Sequence, residues 1–86
     1  MIKVVKFYAD WCGPCRIYAK TFDKVTEELK DSIEVLNINV EKDTEGLAAK
    51  HKVTSIPMTV VIKDGVENSQ IGRMDEAELK NFILNE

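Results

Sequence analysis

The chain has 86 residues, of which 44% are hydrophobic and 31% are charged, so we expect one domain over residues 1–86 and exclude collagen-like, low-complexity and strongly disordered classes. Its 12 basic and 15 acidic residues give a net charge of −3, and a chain without a cationic excess is a poor candidate for binding nucleic acid or anionic membranes. No apolar run approaches the ~20 residues of a membrane-spanning helix, and the N-terminal apolar stretch is too short and too lysine-rich for a signal peptide, so we expect a cytoplasmic protein.

The first predicted element is a largely buried strand from Ile2 to Tyr8, a segment rich in β-branched and aromatic residues without Gly or Pro. After Pro14, apolar residues recur every three or four positions, which predicts a helix that begins at or just before Cys15. The residues predicted on its inner face are Ile17, Tyr18, Phe22, Val25 and Leu29. Alternation of apolar and polar residues then predicts a second strand from Ile33 to Val40.

The middle of the chain contains a short helix and a strand. Asp43 and Thr44 are predicted to cap the helix, which is expected to end around Lys52. The Ile56-Pro57 pair interrupts regular structure because proline lacks an amide donor. A third strand from Met58 to Ile62 follows it.

The last part of the chain carries the clearest turn signal. Asp64-Gly65 predicts a hairpin into an antiparallel fourth strand from Val66 to Ile71, with Gly72 at its end. Asp75 and Glu78 predict a capped final helix. The residues predicted to face inward on this helix are Ala77, Leu79, Phe82 and Ile83. The order βαβαββα predicts an α/β fold in which a four-stranded mixed sheet is flanked by three helices.

The only two cysteines, Cys12 and Cys15, stand between the first strand and the first helix. A disulfide between them closes so small a loop that it constrains the unfolded chain little, which favours redox chemistry over a structural role. Zinc needs four ligands and the chain has one histidine besides the cysteines, so no metal site is expected. Amides and the dipole at a helix N-terminus favour a thiolate, so we expect an exposed nucleophilic Cys12 and a more buried resolving Cys15.

The segment YADWCGPC, the Ile-Pro before a strand, the Asp-Gly hairpin and the Gly before the last helix together resemble the thioredoxin family over nearly the whole chain. In length the chain is similar to the minimal thioredoxin fold and to glutaredoxins. The resemblance implies that Pro57 is a cis-proline facing the disulfide and that the backbone of Ile56 pairs with an extended substrate segment. It also implies a shallow apolar groove, lined by Trp11, Gly13, Pro14, Ile56, Ile71 and Gly72.

Lys6 departs from the family pattern, since thioredoxins typically have a buried acid six positions before the first cysteine. A cationic Lys6 would favour the thiolate and make the disulfide more oxidising, whereas a desolvated neutral amine could accept a proton. A side chain that reaches solvent along the strand is a further alternative. Arg73, which follows Gly72 where a small residue is common, could add a cationic rim to the groove, and His51 is expected outside the site.

These residues predict a thiol–disulfide oxidoreductase that acts on protein disulfides, mainly as a reductase, as a monomer without a bound cofactor. The resemblance implies that its electrons come from NADPH through a flavin-containing, thioredoxin reductase-like donor. Two alternatives stay open at this point. One is a glutaredoxin-like enzyme reduced by glutathione, and the other is an interaction module that binds a partner through the same groove without turnover.

Overall fold

Four strands form one mixed sheet in the structure, a computed structural model that describes residues 1–84. The strands are β1 (Ile2–Tyr8), β2 (Ile33–Asn39), β3 (Met58–Lys63) and β4 (Val66–Ile71). Their spatial order is β2-β1-β3-β4, with β1 and β2 parallel and the other neighbours antiparallel. The predicted α/β class and the mixed four-stranded sheet are confirmed.

In the described part of the chain, three α-helices cover the two faces of the sheet: α1 (Gly13–Glu28), α2 (Leu47–Lys50) and α3 (Glu76–Leu84). The helices α1 and α3 pack on one face in a single apolar cluster, while α2 packs on the other. Within residues 1–84, no helix combines the length and the apolar character needed to cross a membrane.

Side chains alternate between the two faces of the central strand β1, as the pleat requires. Val4 and Lys6 face α1, whereas Val5 and Phe7 contribute to the cluster under α2. Apolar residues therefore occupy both faces of β1, which explains why it reads as a continuous apolar run rather than an alternating one. Lys3 and Lys6 interrupt that run, and of the two only Lys6 is buried.

The boundaries around α2 differ from the prediction. The strand β2 ends at Asn39, because its side-chain oxygen accepts a hydrogen bond from the amide of Glu41 at 2.9 Å and caps a 3₁₀ turn over Val40–Lys42. Asp43, rather than Thr44, caps α2, since its carboxylate oxygens accept from the first two helical amides at 2.9 and 2.7 Å. The helix ends at Lys50, two residues earlier than predicted.

The two predicted turn signals in the last third of the chain are confirmed. Asp64 and Gly65 both have positive φ, 53° and 81°, the combination of a type I′ hairpin turn. Before α3, the amide of Glu78 donates to Asp75 Oδ1 at 2.8 Å and the amide of Asp75 donates to Glu78 Oε1 at 3.0 Å. This reciprocal pair is a capping box, which fixes where α3 begins.

The predicted inner faces of the helices contain two errors. Ile17 is 59% exposed, because α1 buries only a narrow stripe of its surface. Tyr18 and Phe22, one helical turn apart, lie on that stripe, and Ile17 lies outside it. Ala77 is exposed because α3 contacts the core through Leu79 and Ile83, which lie on its other side. Met74, a loop residue that periodicity could not assign, also belongs to this core.

A buried hydrogen bond joins α1 to β3 within this core. The hydroxyl of Tyr18 lies 2.7 Å from Thr59 Oγ1, and both side chains are almost fully buried. Each polar group is thereby satisfied in a place where an unpaired hydroxyl would be costly. Burial raises the pKa of Tyr18 to about 12, while the hydrogen bond from Thr59 opposes that rise.

The Tyr18→Phe variant is expected to lose the wild-type sensitivity to alkali. Burial disfavours the phenolate in the folded state. The stabilisation that neutral Tyr18 contributes is therefore full below pH 10 and is lost as the pH rises towards 12. Two pKa units correspond to about 3 kcal/mol of unfolding free energy. Near pH 8 the variant should be less stable by about 1 kcal/mol, because Thr59 loses its partner.

Urea unfolding of both proteins between about pH 8 and pH 11.5 measures this difference. The gap between them should close or reverse at the upper end. Equal losses of stability in the two proteins over that range would contradict the assignment of the alkaline transition to Tyr18.

Candidate active site

The two cysteines form a disulfide at the entrance to α1. Cys12 is the N-cap residue, with extended backbone, and Cys15 is the third residue of the helix, so their Cα atoms lie 5.2 Å apart. Cys12 Sγ accepts a hydrogen bond from the amide of Cys15 at 3.2 Å. One of the amides left unpaired by the first helical turn therefore points at the sulfur, as an N-cap side chain requires.

Both cysteines are buried in this disulfide-bonded state, with exposures of 5% for Cys12 and 3% for Cys15. The prediction of an exposed Cys12 is therefore wrong for this state, although Cys15 is the more buried of the two as expected. The reason is packing, because Ala9, Val40 and Ile56 surround the pair. Ala9 was missed by the sequence analysis, and its carbonyl also accepts from the amide of Cys12 at 3.2 Å.

The Ile56–Pro57 peptide bond is cis, the form that the resemblance implies. Pro57 is fully buried just before β3, and Ile56 packs against the cysteine cluster. The carbonyl of Pro57 accepts from the amide of Gly72 at 2.8 Å. Gly72 has φ of 96°, a conformation open to glycine and strained for other residues. These contacts place Gly72 beside Pro57, whose neighbour Ile56 packs on the cysteines.

Two large apolar side chains among the predicted groove residues are exposed. Trp11 is 65% exposed and Ile71 is 52% exposed. Pro14 is also exposed, while Gly13 and Ile56 are half-buried. Exposed aromatic and aliphatic groups beside a reactive centre are typical of a surface that binds another protein.

Lys6 is buried, with 5% of its surface exposed, and the path of its amine to solvent along the strand stays a prediction. Its Nζ lies 4.6 Å from the ring centroid of Phe22 and 5.5 Å from that of Tyr8. These are cation–π distances, so ring faces replace part of its lost hydration. Burial lowers the pKa of Lys6, while the negative charge of Asp23 opposes this by raising it.

A cleft of about 510 Å³ lies between β1 and α1, and both Lys6 and Cys15 line it. Asp23 lies on its wall, and the sequence analysis missed this residue. The signal was available, because Cys15, Ala19 and Asp23 are spaced four residues apart and share one side of α1. At the mouth of the cleft, Arg16 donates to the carbonyl of Asp10 at 2.9 Å.

No group of three or more potential ligands among His, Cys, Asp and Glu is arranged to hold a metal within residues 1–84. His51 follows α2 rather than lining the cysteine cluster. Its ring packs on Phe7 at a centroid distance of 5.8 Å, and its Nδ1 lies 2.9 Å from Glu67 Oε1. His51 thus lies between α2 and β4.

Comparison with known proteins points to one family. The family model described as Thioredoxin matches residues 1–85. The chain is 35% identical to a thioredoxin of Haemophilus influenzae over 81 residues, which cover 93% of this chain and 75% of that protein. It is also similar in structure to a thioredoxin of Fasciola hepatica, with 36% identity, a TM-score of 0.84, and coverage of 98% of this chain and 79% of that one.

Another relative matches over a shorter part of its length. Thioredoxin-T of Drosophila melanogaster is 44% identical over 62 residues, which are 72% of this chain and 39% of that protein. The matched relatives are thus all longer than the region they share with this chain.

The Lys6→Met variant is expected to be more stable than the wild type near neutral pH. A lysine whose pKa is lowered by burial destabilises the fold while it is protonated. That cost is full below the folded-state pKa, declines as the pH rises towards 10.5, and vanishes above it. The stability gap should therefore narrow as the pH rises towards 10.5.

Urea unfolding of the disulfide-bonded proteins measures the gap. The matched control is Lys20→Met, which removes an exposed lysine from the same helix that covers Lys6. A gap that stays constant with pH, or that the control reproduces, would contradict the burial of a titrating amine at position 6.

Proposed function

Because the chain belongs to the thioredoxin family, we propose that it works in the cytoplasm mainly as a reductase of disulfides in other proteins. The family and the Cys12–Cys15 pair make it a thiol–disulfide oxidoreductase. The observation that carries the proposal is the hydrogen bond from the amide of Cys15 to Cys12 Sγ, because a donor at that position stabilises negative charge on the sulfur.

In the first step, the Cys12 thiolate attacks one sulfur of a substrate disulfide. A bond forms between Cys12 Sγ and that sulfur, the substrate S–S bond breaks, and the other substrate sulfur leaves as a thiolate. In the second step, the Cys15 thiolate attacks Cys12 Sγ and releases the remaining substrate thiolate. Two electrons have then passed to the substrate, and the protein holds the Cys12–Cys15 disulfide.

The surface around the disulfide would bind an extended segment of the substrate. The backbone of Ile56 beside the cis-proline would pair with that segment, while Trp11 and Ile71 contribute exposed apolar area. Gly13, Pro14 and Gly72 would complete the groove without large side chains that block close approach. Backbone pairing and apolar contacts depend little on the amino-acid sequence of the substrate, so we expect a broad set of substrates.

We assign to Lys6 the role of a positioning residue that acts through Cys15. The cleft that both residues line is the support for this role. A positive charge held in a poorly solvated place stabilises a nearby thiolate and so stabilises the reduced form of the pair. Lys6 would thereby make the disulfide a stronger oxidant than it would be with an uncharged residue at this position.

We also propose that the protein acts as a monomer and receives its electrons from NADPH through a flavoprotein reductase. Thioredoxins themselves bind no cofactor, so the reducing equivalents must arrive by exchange with another protein or thiol. Glutathione is the competing donor, and it would place the protein with glutaredoxin-like enzymes. The assay below separates the two.

Insulin reduction tests the proposed function. With dithiothreitol as donor, the wild type should accelerate cleavage of the insulin disulfides, whereas Cys12→Ser should not. Cys15→Ser should stop after the first step and accumulate a mixed disulfide with insulin, because nothing displaces the captured sulfur. Mass spectrometry of the non-reduced reaction detects that species.

The same assay then replaces dithiothreitol with NADPH and a thioredoxin reductase, or with glutathione and its reductase. Turnover with the first donor and little with the second is the expected result. No acceleration by the wild type with dithiothreitol, or no trapped species with Cys15→Ser, would refute the proposed function. In that case the interaction module without turnover becomes the better description.

The Lys6→Met and Lys6→Asp variants test the positioning role. Loss of the positive charge should destabilise the thiolate and lower the reduction potential, with the larger shift for the aspartate. A shift of about 30 mV corresponds to about 1.4 kcal/mol in this two-electron couple. Equilibration with glutathione buffers measures the potential, and the pH dependence of alkylation reports the titration of Cys15. If neither quantity moves in either variant, Lys6 has no part in the exchange.

A further inference from the structure

Arg73 is a cation beside the proposed substrate surface that forms no ion pair in the part of the chain that the structure describes. It follows Gly72 and is exposed. Among residues 1–84, its guanidinium forms none of the ion pairs present. An exposed arginine without a partner presents its planar donors to any carboxylate that approaches.

The nearby carboxylates are already engaged elsewhere. Asp75 Oδ1 and Glu78 Oε1 accept from each other's backbone amides in the capping box. Glu76 Oε2 forms an ion pair with Lys24 at 3.0 Å. Each acidic side chain at the start of α3 thus has a partner other than Arg73, and none of these carboxylates forms an ion pair with the arginine.

Arg73 also forms one wall of a cleft of about 500 Å³ between α1 and the start of α3. We call it the Ile17–Arg73 cleft, and its lining residues are Ile17, Tyr18, Thr21, Arg73, Met74 and Asp75. Ile17 supplies an apolar surface, being 59% exposed on α1. It lies five residues after Cys12, a rise of about 7.5 Å along the helix axis.

The cleft is therefore placed where a bound polypeptide would continue past the disulfide. A segment attached to Cys12 and lying over Gly72 meets Arg73 as the next residue of the chain and Ile17 on the facing helix. The pairing of an apolar side chain with an unpaired guanidinium matches a segment that carries an aliphatic residue beside a carboxylate.

We propose that the Ile17–Arg73 cleft is a specificity subsite that favours disulfide-bonded proteins with an aliphatic residue next to Asp or Glu close to the target cysteine. This inference rests on the proposed function, because it selects among substrates of the Cys12–Cys15 pair. The subsite predicts a preference for substrates with acidic residues near the target cysteine. The protein's own net charge of −3 would by itself disfavour such substrates.

A set of synthetic peptides tests it. Each peptide carries one cysteine, bonded through a disulfide to thionitrobenzoate, and a Leu-Glu, Leu-Gln or Leu-Lys pair a few residues away. One series has the pair before the cysteine and a second has it after. Attack by the reduced protein on the peptide sulfur releases coloured thionitrobenzoate, and its absorbance gives the second-order rate constant.

In at least one series, the wild type should react about threefold to tenfold faster with the glutamate peptide than with the lysine peptide, and the difference should shrink in about 0.5 M salt. Arg73→Glu should reverse the preference, and Arg73→Lys should retain it. Ile17→Ser should slow every leucine peptide while leaving the ratio of glutamate to lysine rates unchanged. Lys50→Glu is the matched control, since it makes the same charge change on α2.

Equal rates for the glutamate and lysine peptides in both series would overturn the subsite. So would a change of preference in Lys50→Glu as large as that in Arg73→Glu, because the effect would then come from overall charge. Failure of the wild type to react with any peptide, the glutamine peptide included, would instead refute the proposed function. The two failures are thus distinguishable in one experiment.

Discussion

The site depends on one contact, the hydrogen bond from the amide of Cys15 to the sulfur of Cys12. This hydrogen bond forms because β1, an inner strand of the sheet, leads through a short segment into α1. The first turn of the helix therefore lies next to Cys12. The helix is held in place by Phe22 and Val25, which are fully buried against β1 and β3. Core packing well away from the sulfurs therefore keeps the amide directed at Cys12.

The opposite side of the site depends on backbone rather than on side chains. The carbonyl of Pro57 and the amide of Gly72 join the start of β3 to the residues after β4. The Tyr18–Thr59 hydrogen bond joins the same strand to α1. As a result, the helix that carries the cysteines and the segment that carries the cis-proline are both fixed to β3, and the groove between them has a defined width.

Most of the fold could be predicted because its elements are locally consistent. The strands β1 and β4 lie within the predicted bounds, and the Asp64-Gly65 turn and the capping box before α3 were evident from residue types. What could not be predicted was long-range packing. Periodicity placed Ile17 on the inner face of α1, but the width of the buried stripe depends on which elements cover it.

The same distinction applies to the site. The cysteines and the cis-proline followed from a motif, whereas the burial of Cys12 comes from Ala9, Val40 and Ile56, which are far apart in sequence. For Lys6, strand alternation indicates the face but not the path of a long side chain. The position of Phe22 on α1, the element that follows β1, decides that the amine packs against an aromatic ring.

The small span of the disulfide has a consequence for how the molecule cycles. Because Cys12 and Cys15 are three residues apart within one turn and a cap, opening the bond releases almost no chain. The sheet and the helices can therefore keep their arrangement during thiol–disulfide exchange. A partner that must distinguish the reduced protein from the disulfide-bonded protein therefore has to recognise the sulfurs and their immediate surroundings. The rest of the molecule offers the same surface in both redox states.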